Sequence, residues 1–294
     1  MTVDTAYKSG KSEHDENFPV ASRLIASRYR SPILAFYRFA RAADDAADHP
    51  TLDEPSKFAI LDALEDTLLN KSDAAADALP LRAELRNRKL DPQHALDLLR
   101  AFRQDVTKNR YRTWAELIDY CRYSAMPVGR FVLDVHGEST ATWPSSDALC
   151  TALQIINHLQ DCGKDYRDLD RVYLPLEDMA RHKVDVAALA KPKSSSELLA
   201  CLRELASRTA ELLPEASQLP GKVSDLRLGV ETAVIAGLAS ELIHLLKTRD
   251  PLADRVHLSK PQAALIAGRA AASTLLARAT SRRGAYQAVR DDAA

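Results

Sequence analysis

Apolar positions recur at three- and four-residue intervals along almost the whole chain, and that period predicts helices. From about Asn17 the pattern takes hold, with Ala21, Leu24 and Ile25 followed by Ile33, Leu34, Tyr37 and Ala40. Phe58, Ile60, Leu61, Leu64 and Leu68 form the apolar stripe of a second helix over Pro55–Leu69. Pro80 and Pro92 punctuate the next pair, and Leu96–Phe102 and Trp114–Tyr123 are helical again. Ala148 to about Lys164 predicts a helix that is apolar on most sides and therefore buried. The stretch 166–176 reads as a loop ending in Tyr173, Leu174 and Pro175, and Lys191–Lys193 as a break. Three apolar helices follow, over about 195–213, 224–247 and 260–282. No alternating strand run, internal repeat or long linker appears. The fold expected is all-α in a single domain over 17–283, with a disordered tail at 1–16 and a second tail at 284–294.

Composition narrows the class. Only 9 glycines in 294 residues favour helices over a strand-and-turn fold. With 40 Lys+Arg against 41 Asp+Glu, the balance gives no sign of a nucleic-acid surface. Cys121, Cys150, Cys162 and Cys201 form no C-x-x-C, so buried reduced thiols are expected. The polar N-terminus lacks the apolar region of a signal peptide, and no uninterrupted apolar stretch approaches a membrane span. A cytoplasmic protein is expected, with room for a loose contact with a membrane or a neighbouring pathway enzyme.

Two acidic clusters carry the chemistry. In the first, Asp44 and Asp48 share a helix face, with Asp45 beside them, Arg41 one turn earlier and Tyr37 one turn before that. In the second, Gln154, Asn157, Asp161 and Asp165 fall within an arc of roughly 80°, and Arg171 follows. A buried stripe of carboxylates and amides requires a compensating partner. Oxygen donors suit a hard cation, and Mg²⁺ completes its shell with water and substrate phosphates. His158 and Cys162 are too few for a zinc site. Two such helices face to face would hold a small group of Mg²⁺ ions bridged by a diphosphate, with Arg41 and Arg171 on the remaining oxygens. A single D-x-x-x-D is more often a solvated face. The second cluster, on an otherwise apolar helix, argues for chemistry.

FYRFARAADDAAD and QIINHLQDCGKDYRDLDRVYLP resemble the two aspartate-rich motifs of the squalene and phytoene synthases. The resemblance runs from about Asn17 to Arg255 and includes the Tyr120-Cys121 pair. It implies the all-α isoprenoid synthase fold with a central cavity, an isoprenoid diphosphate substrate and two or three Mg²⁺ ions. Asp44 and Asp48 then resemble the first metal pair, and Asn157, Asp161 and Asp165 the second set. Arg41 and Arg171 resemble diphosphate-contacting arginines. Gln154 resembles a cavity-lining glutamine, and Tyr37, Tyr120 and Tyr173 match positions near the substrate, where ordinary packing with a bonded hydroxyl is the competing role.

Within the family, ENFPVAS, AFRQDVTKNRY, YSAMPVGR and Gln160 before Asp161 are similar to the bacterial hydroxysqualene synthases of the hopanoid route. That similarity implies conversion of presqualene diphosphate and water to hydroxysqualene and diphosphate. No G-x-G-x-x-G is present, and no NADPH is expected. Met126 stands where that subfamily is expected to carry Asn, and an apolar side chain there would reshape the cavity. His158 is expected to be structural and hydrogen-bonded. The alternatives are another head-to-head synthase acting on farnesyl or geranylgeranyl diphosphate, and a non-catalytic helical partner that binds prenyl diphosphates.

Overall fold

The computed structural model describes residues 25–291, with side chains to 280. The expected N-terminal tail, the start near Asn17 and the positions of Ala21 and Leu24 lie outside the described residues. Thirteen α-helices make up the described chain, in the order α1 (Ser27–Ala47), α2 (Glu54–Leu68), α3 (Leu79–Arg88), α4 (Gln93–Thr107), α5 (Trp114–Ser124), α6 (Met126–His136), α7 (Trp143–Leu169), α8 (Leu176–Arg181), α9 (Ser196–Ala210), α10 (Leu213–Ala216), α11 (Leu219–Lys222), α12 (Leu226–Thr248) and α13 (Lys260–Asp291). Among the described residues the only strand-like feature is a single bridge between Arg110 and Val172.

Local chemistry sets the helix bounds. Pro32 lies inside α1 and cannot donate to the carbonyl of Arg28. The Arg88 guanidinium donates to that carbonyl instead, at 2.7 Å. Asp53, Thr113, Ser195 and Asp225 cap α2, α5, α9 and α12 with side-chain oxygens on first-turn amides. α6 has its Pro127 in the first turn, which separates it from α5. Pro214 and Pro220 likewise divide the single helix expected over 195–213 and the stretch after it into α9, α10 and α11. Two further expectations are corrected. α7 runs through Tyr166-Arg167-Asp168-Leu169 before Asp170, at φ 49°, ends it. α13 continues to Asp291, because an Ala- and Arg-rich run propagates a helix past one glycine at a cost of about 1 kcal/mol.

Two apolar cores share α6. One joins α1–α4 to Phe131 and Val135, with Phe36 stacked on Phe131 at 4.0 Å. The other joins α5, α7, α9 and α12 to Leu133. α12 is long and apolar enough to cross a membrane by composition, which the sequence reading did not register, but 67% of its apolar window is buried inside the fold. All four cysteines are free.

The α6–α7 contact depends on Gly129. A Cβ there would run into the Ser146 hydroxyl and lie 2.6 Å from the Cys150 sulfur. Gly→Ala inside a helix ordinarily stabilises by about 1 kcal/mol. Here Gly129→Ala is expected to destabilise by about 1–3 kcal/mol, the cost of overpacking. Urea unfolding checks it, and a rise in the midpoint would refute the close approach.

Candidate active site

α1 and α7 both pack on α6, and each carries one acidic cluster. On α1, Asp44 and Asp48 are partly exposed, with side-chain exposures of 33% and 31%. Asp45 is buried. Arg41 donates to Asp44 and to Asp45, both at 2.7 Å. Tyr37 is half-buried one turn before Arg41. On α7, Gln154, Asn157, Asp161 and Asp165 are all half-buried along the expected stripe.

What joins the clusters is the link after α7. Backbone bonds from Val172 to Asn109 (2.9 Å) and from Leu176 to Tyr111 (2.9 Å) pin this link beside the α4–α5 connection. Arg171 is thereby buried and reaches three partners. It pairs with Asp48 at 2.9 Å, donates to the Asp105 carbonyl at 3.0 Å and to the Tyr173 hydroxyl at 3.3 Å. Arg171 therefore spans both ends of the site, one of them the α1 carboxylate.

Asp105 and Tyr111 are site residues that the sequence reading missed. Asp105 is buried on α4, accepts from the Tyr120 hydroxyl at 2.7 Å and from the Tyr173 hydroxyl at 3.5 Å. The Tyr111, Tyr120 and Tyr173 rings cluster at centroid distances of 5.2–5.5 Å. An available signal was a carboxylate four residues after Ala101 and seven after Leu98 on the apolar stripe of α4. Tyr120 and Tyr173 are thus buried and anchored through Asp105. His158 stacks on Tyr173 at 3.5 Å with its Nε2 unbonded. Burial, and then Arg171, push its pKa down to about 3. The expected hydrogen-bonded role is corrected at Nε2, which makes no hydrogen bond, and burial keeps the ring neutral. Gln160 donates to the Val256 carbonyl and so ties α7 to the chain beyond α12.

The site is overloaded with negative charge. Burial pushes Asp44 up to about 7, helped by Asp48 and opposed by Arg41. Burial also raises Asp105 to about 7, opposed by Arg171 and the Tyr120 hydroxyl. Asp165 rises to about 7 through burial and then Asp161, again opposed by Arg171. Asp48 also raises Asp165, so the α1 and α7 carboxylates lie within electrostatic reach of one another. Carboxylates that repel in this way are stabilised by a cation. The donors are all oxygen, which fits a hard metal ion. Among the described residues no three His, Cys, Asp or Glu side chains converge as a ready-made metal site.

An apolar cavity of about 250 Å³ is walled by α1, α6, α7 and α12, with its lining on α1 and α7 N-terminal to the two acidic clusters. Ile33 lines it on the same face of α1 as Tyr37 and Asp44, and Leu153 precedes Gln154 on α7. Met126 opens α6 and is not among the residues that line this cavity.

The squalene/phytoene synthase family profile matches residues 11–262. A hydroxysqualene synthase of Rhodopseudomonas palustris is 54% identical over 284 residues, 97% of each chain. A hydroxysqualene synthase of Sinorhizobium fredii is 51% identical over 284 residues, again 97% of each. The crystal structure of a squalene synthase from Alicyclobacillus acidocaldarius superposes with a TM-score of 0.70 at 29% identity, over 80% of this chain and 89% of that one. The match runs through both acid-bearing helices and the aromatic cluster between them, and the chain belongs to the squalene/phytoene synthase family.

Proposed function

We propose that this protein converts presqualene diphosphate and water to hydroxysqualene and diphosphate. The observation that carries this reading is near-full-length identity of 48–54% to hydroxysqualene synthases. The site supports it physically: a crowded set of carboxylates sits on α1 and α7, two of the helices that wall an apolar cavity large enough to shelter part of a hydrocarbon.

In this reading Asp44 and Asp48 on one side, and Asn157, Asp161 and Asp165 on the other, would hold Mg²⁺. Bound Mg²⁺ supplies Lewis-acid stabilisation of the charge on a departing diphosphate. Arg41, and Arg171 from behind Asp48, orient these carboxylates and add positive charge toward the diphosphate oxygens. The apolar walls keep bulk water from the cation that ionisation leaves, so that capture is not indiscriminate. The Tyr120 and Tyr173 hydroxyls, fixed on Asp105, present aromatic faces and oriented dipoles beside it. Water, rather than a hydride from NADPH, ends the reaction.

The test is a product assay with purified protein, Mg²⁺ and presqualene diphosphate, with and without NADPH. Hydroxysqualene in both tubes, carrying oxygen from labelled water, is expected. Squalene only with NADPH would overturn water capture. Turnover of farnesyl diphosphate alone would place the protein one step earlier.

Metal binding should depend on pH. With carboxyl pKa values near 7, Asp44 and Asp165 carry protons below that pH that a metal must displace. Affinity therefore rises as pH climbs through about 7. The increase in Tm given by Mg²⁺ alone is expected to be larger at pH 8 than at pH 6 by scanning fluorimetry. An equal increment at both would refute metal binding at these carboxylates.

A further inference from the structure

Three of the large apolar side chains left exposed among the described residues, Leu265, Leu275 and Leu276, lie on α13. The inner face of this helix rests on α12. There Ile266 lies 2.9 Å from where a Cβ on Gly237 would stand, and the Arg278 guanidinium sits over Gly229. Arg278 donates to the Pro220 and Ser224 carbonyls at 3.0 and 2.9 Å. On the outer face Leu265, Arg269, Ala272 and Leu276 are all exposed. Their offsets of four, seven and eleven residues place them within an arc of roughly 60°. Leu276 is 67% exposed and Leu265 is 55% exposed. Single apolar side chains scattered on a surface need no explanation, but a row of them along one helix face marks a docking surface.

Charge selects the occupant. From Val256 to Arg290 the sequence carries no Asp or Glu, whereas Lys260, Arg269, Arg278, Arg282, Arg283 and Arg290 are basic. A second copy docked face to face on α13 would set arginine against arginine with no acid between them, and like charges across an interface oppose association. What covers this row must be apolar and anionic together. Leu265, Ala272 and Leu276 carry no hydrogen-bonding side chain, so the row has little with which to select one protein partner. The boundary between headgroups and acyl chains of an anionic bilayer supplies both properties and requires no matching shape. The surroundings agree. Arg278 anchors α13 beside the start of α12, which carries the exposed Leu226 and the cavity-lining Leu228. Val128 also lines the cavity and is itself exposed, so the apolar wall reaches the surface.

We propose that the outer face of α13 lies on an anionic lipid bilayer, with Leu265 and Leu276 entering the acyl boundary and Arg269 among the headgroup phosphates. This docking stands on exposure and charge, and it holds whichever product the enzyme makes. Each Lys or Arg held near such a surface contributes about fivefold in affinity. Each leucine that the bilayer covers contributes on the order of tenfold. The electrostatic share is lost in high salt, because exposed charges are screened beyond about 10 Å at 0.1 M.

The experiment is co-sedimentation of the full chain with vesicles, one set of phosphatidylcholine alone and one of equal parts phosphatidylcholine and phosphatidylglycerol. Wild type is expected to bind the mixed vesicles, to bind the neutral ones at least about fivefold more weakly, and to leave the mixed ones in high salt. Changing Leu265→Glu and Leu276→Glu together should weaken binding at least about tenfold, with Tm as the folding control. Arg269→Ala should weaken it about fivefold and carries the test alone if the paired variant does not fold. No binding to either vesicle overturns the proposal. So does equal binding to both, which would remove the role of charge. Wild-type binding by the folded variants assigns the bilayer to another face and overturns it as well. A dimer in sedimentation velocity that the leucine changes abolish, without vesicle binding, would give the face to a second copy instead.

Discussion

Asp161→Asn is expected to cut diphosphate release from presqualene diphosphate by about 10²–10³-fold, the scale of removing one preorganised charge-stabilising group. The fold should survive, because Asp161 is half-buried on the site face of α7 and Asn fills the same volume. One negative charge also leaves a crowded set, since Asp161 is a main cause of the raised pKa of Asp165 after burial. The metal-free variant should therefore be as stable as wild type or slightly more so. Stopped assays of diphosphate release with thermal melts check both halves. Wild-type turnover would remove Asp161 from the metal set.

The second large effect is on stability. Arg171 is buried and holds Asp48, the Asp105 carbonyl and the Tyr173 hydroxyl. It also opposes the raised pKa values of Asp105 and Asp165. Removing one partner of a buried ion pair leaves uncompensated charge, at a cost of about 3–5 kcal/mol. Arg171→Ala is expected to lose that much in urea unfolding, and Arg171→Lys to recover only part of it, because an ammonium cannot reproduce the planar fork on three partners. The loss should shrink below pH 7, where Asp105 and Asp165 protonate and no longer require the arginine. A loss under about 1 kcal/mol, the range of exposed pairs, would show that this network is solvated.

The two effects separate what the acid site does from what holds it. Asp161 belongs to the face that meets substrate, and Arg171 belongs to the support behind it. Without Arg171, the α7 carboxylates and Asp48 would repel with nothing behind them, and Tyr173 would lose its donor. Tyr120 and Tyr173 share Asp105, so their orientation depends on a residue of neither motif.

Much of this was legible in the chain. A helical period is local, so α2, α4, α5, α9 and α12 follow from apolar spacing, and caps such as Asp53 and Asp225 follow from their first-turn amides. The face shared by Gln154, Asn157, Asp161 and Asp165 is likewise fixed by 3.6 residues per turn, as is that of Tyr37, Arg41, Asp44 and Asp48. The short α10 and α11, each with a proline in its first turn, lie at and beyond the end of the helix that periodicity predicts over about 195–213, and nothing in the period of α7 showed that it would absorb Tyr166 to Leu169.

Only the tertiary structure decided the rest. Arg171 meets Asp105 across 66 residues of chain, and no spacing rule reaches that far. Asp105 looked like one acid among many until packing buried it beneath two tyrosines. His158 was read as hydrogen-bonded, but its neighbours are a ring and a guanidinium, so it stays neutral. Glu231 is an ordinary glutamate in the sequence and becomes a buried acid in a largely apolar cavity wall once α12 packs on α7. Helices and their faces are properties of adjacent residues and are written in order along the chain. Burial, desolvation and charge pairing belong to whatever the folded neighbours happen to be, and those exist only after the helices have packed.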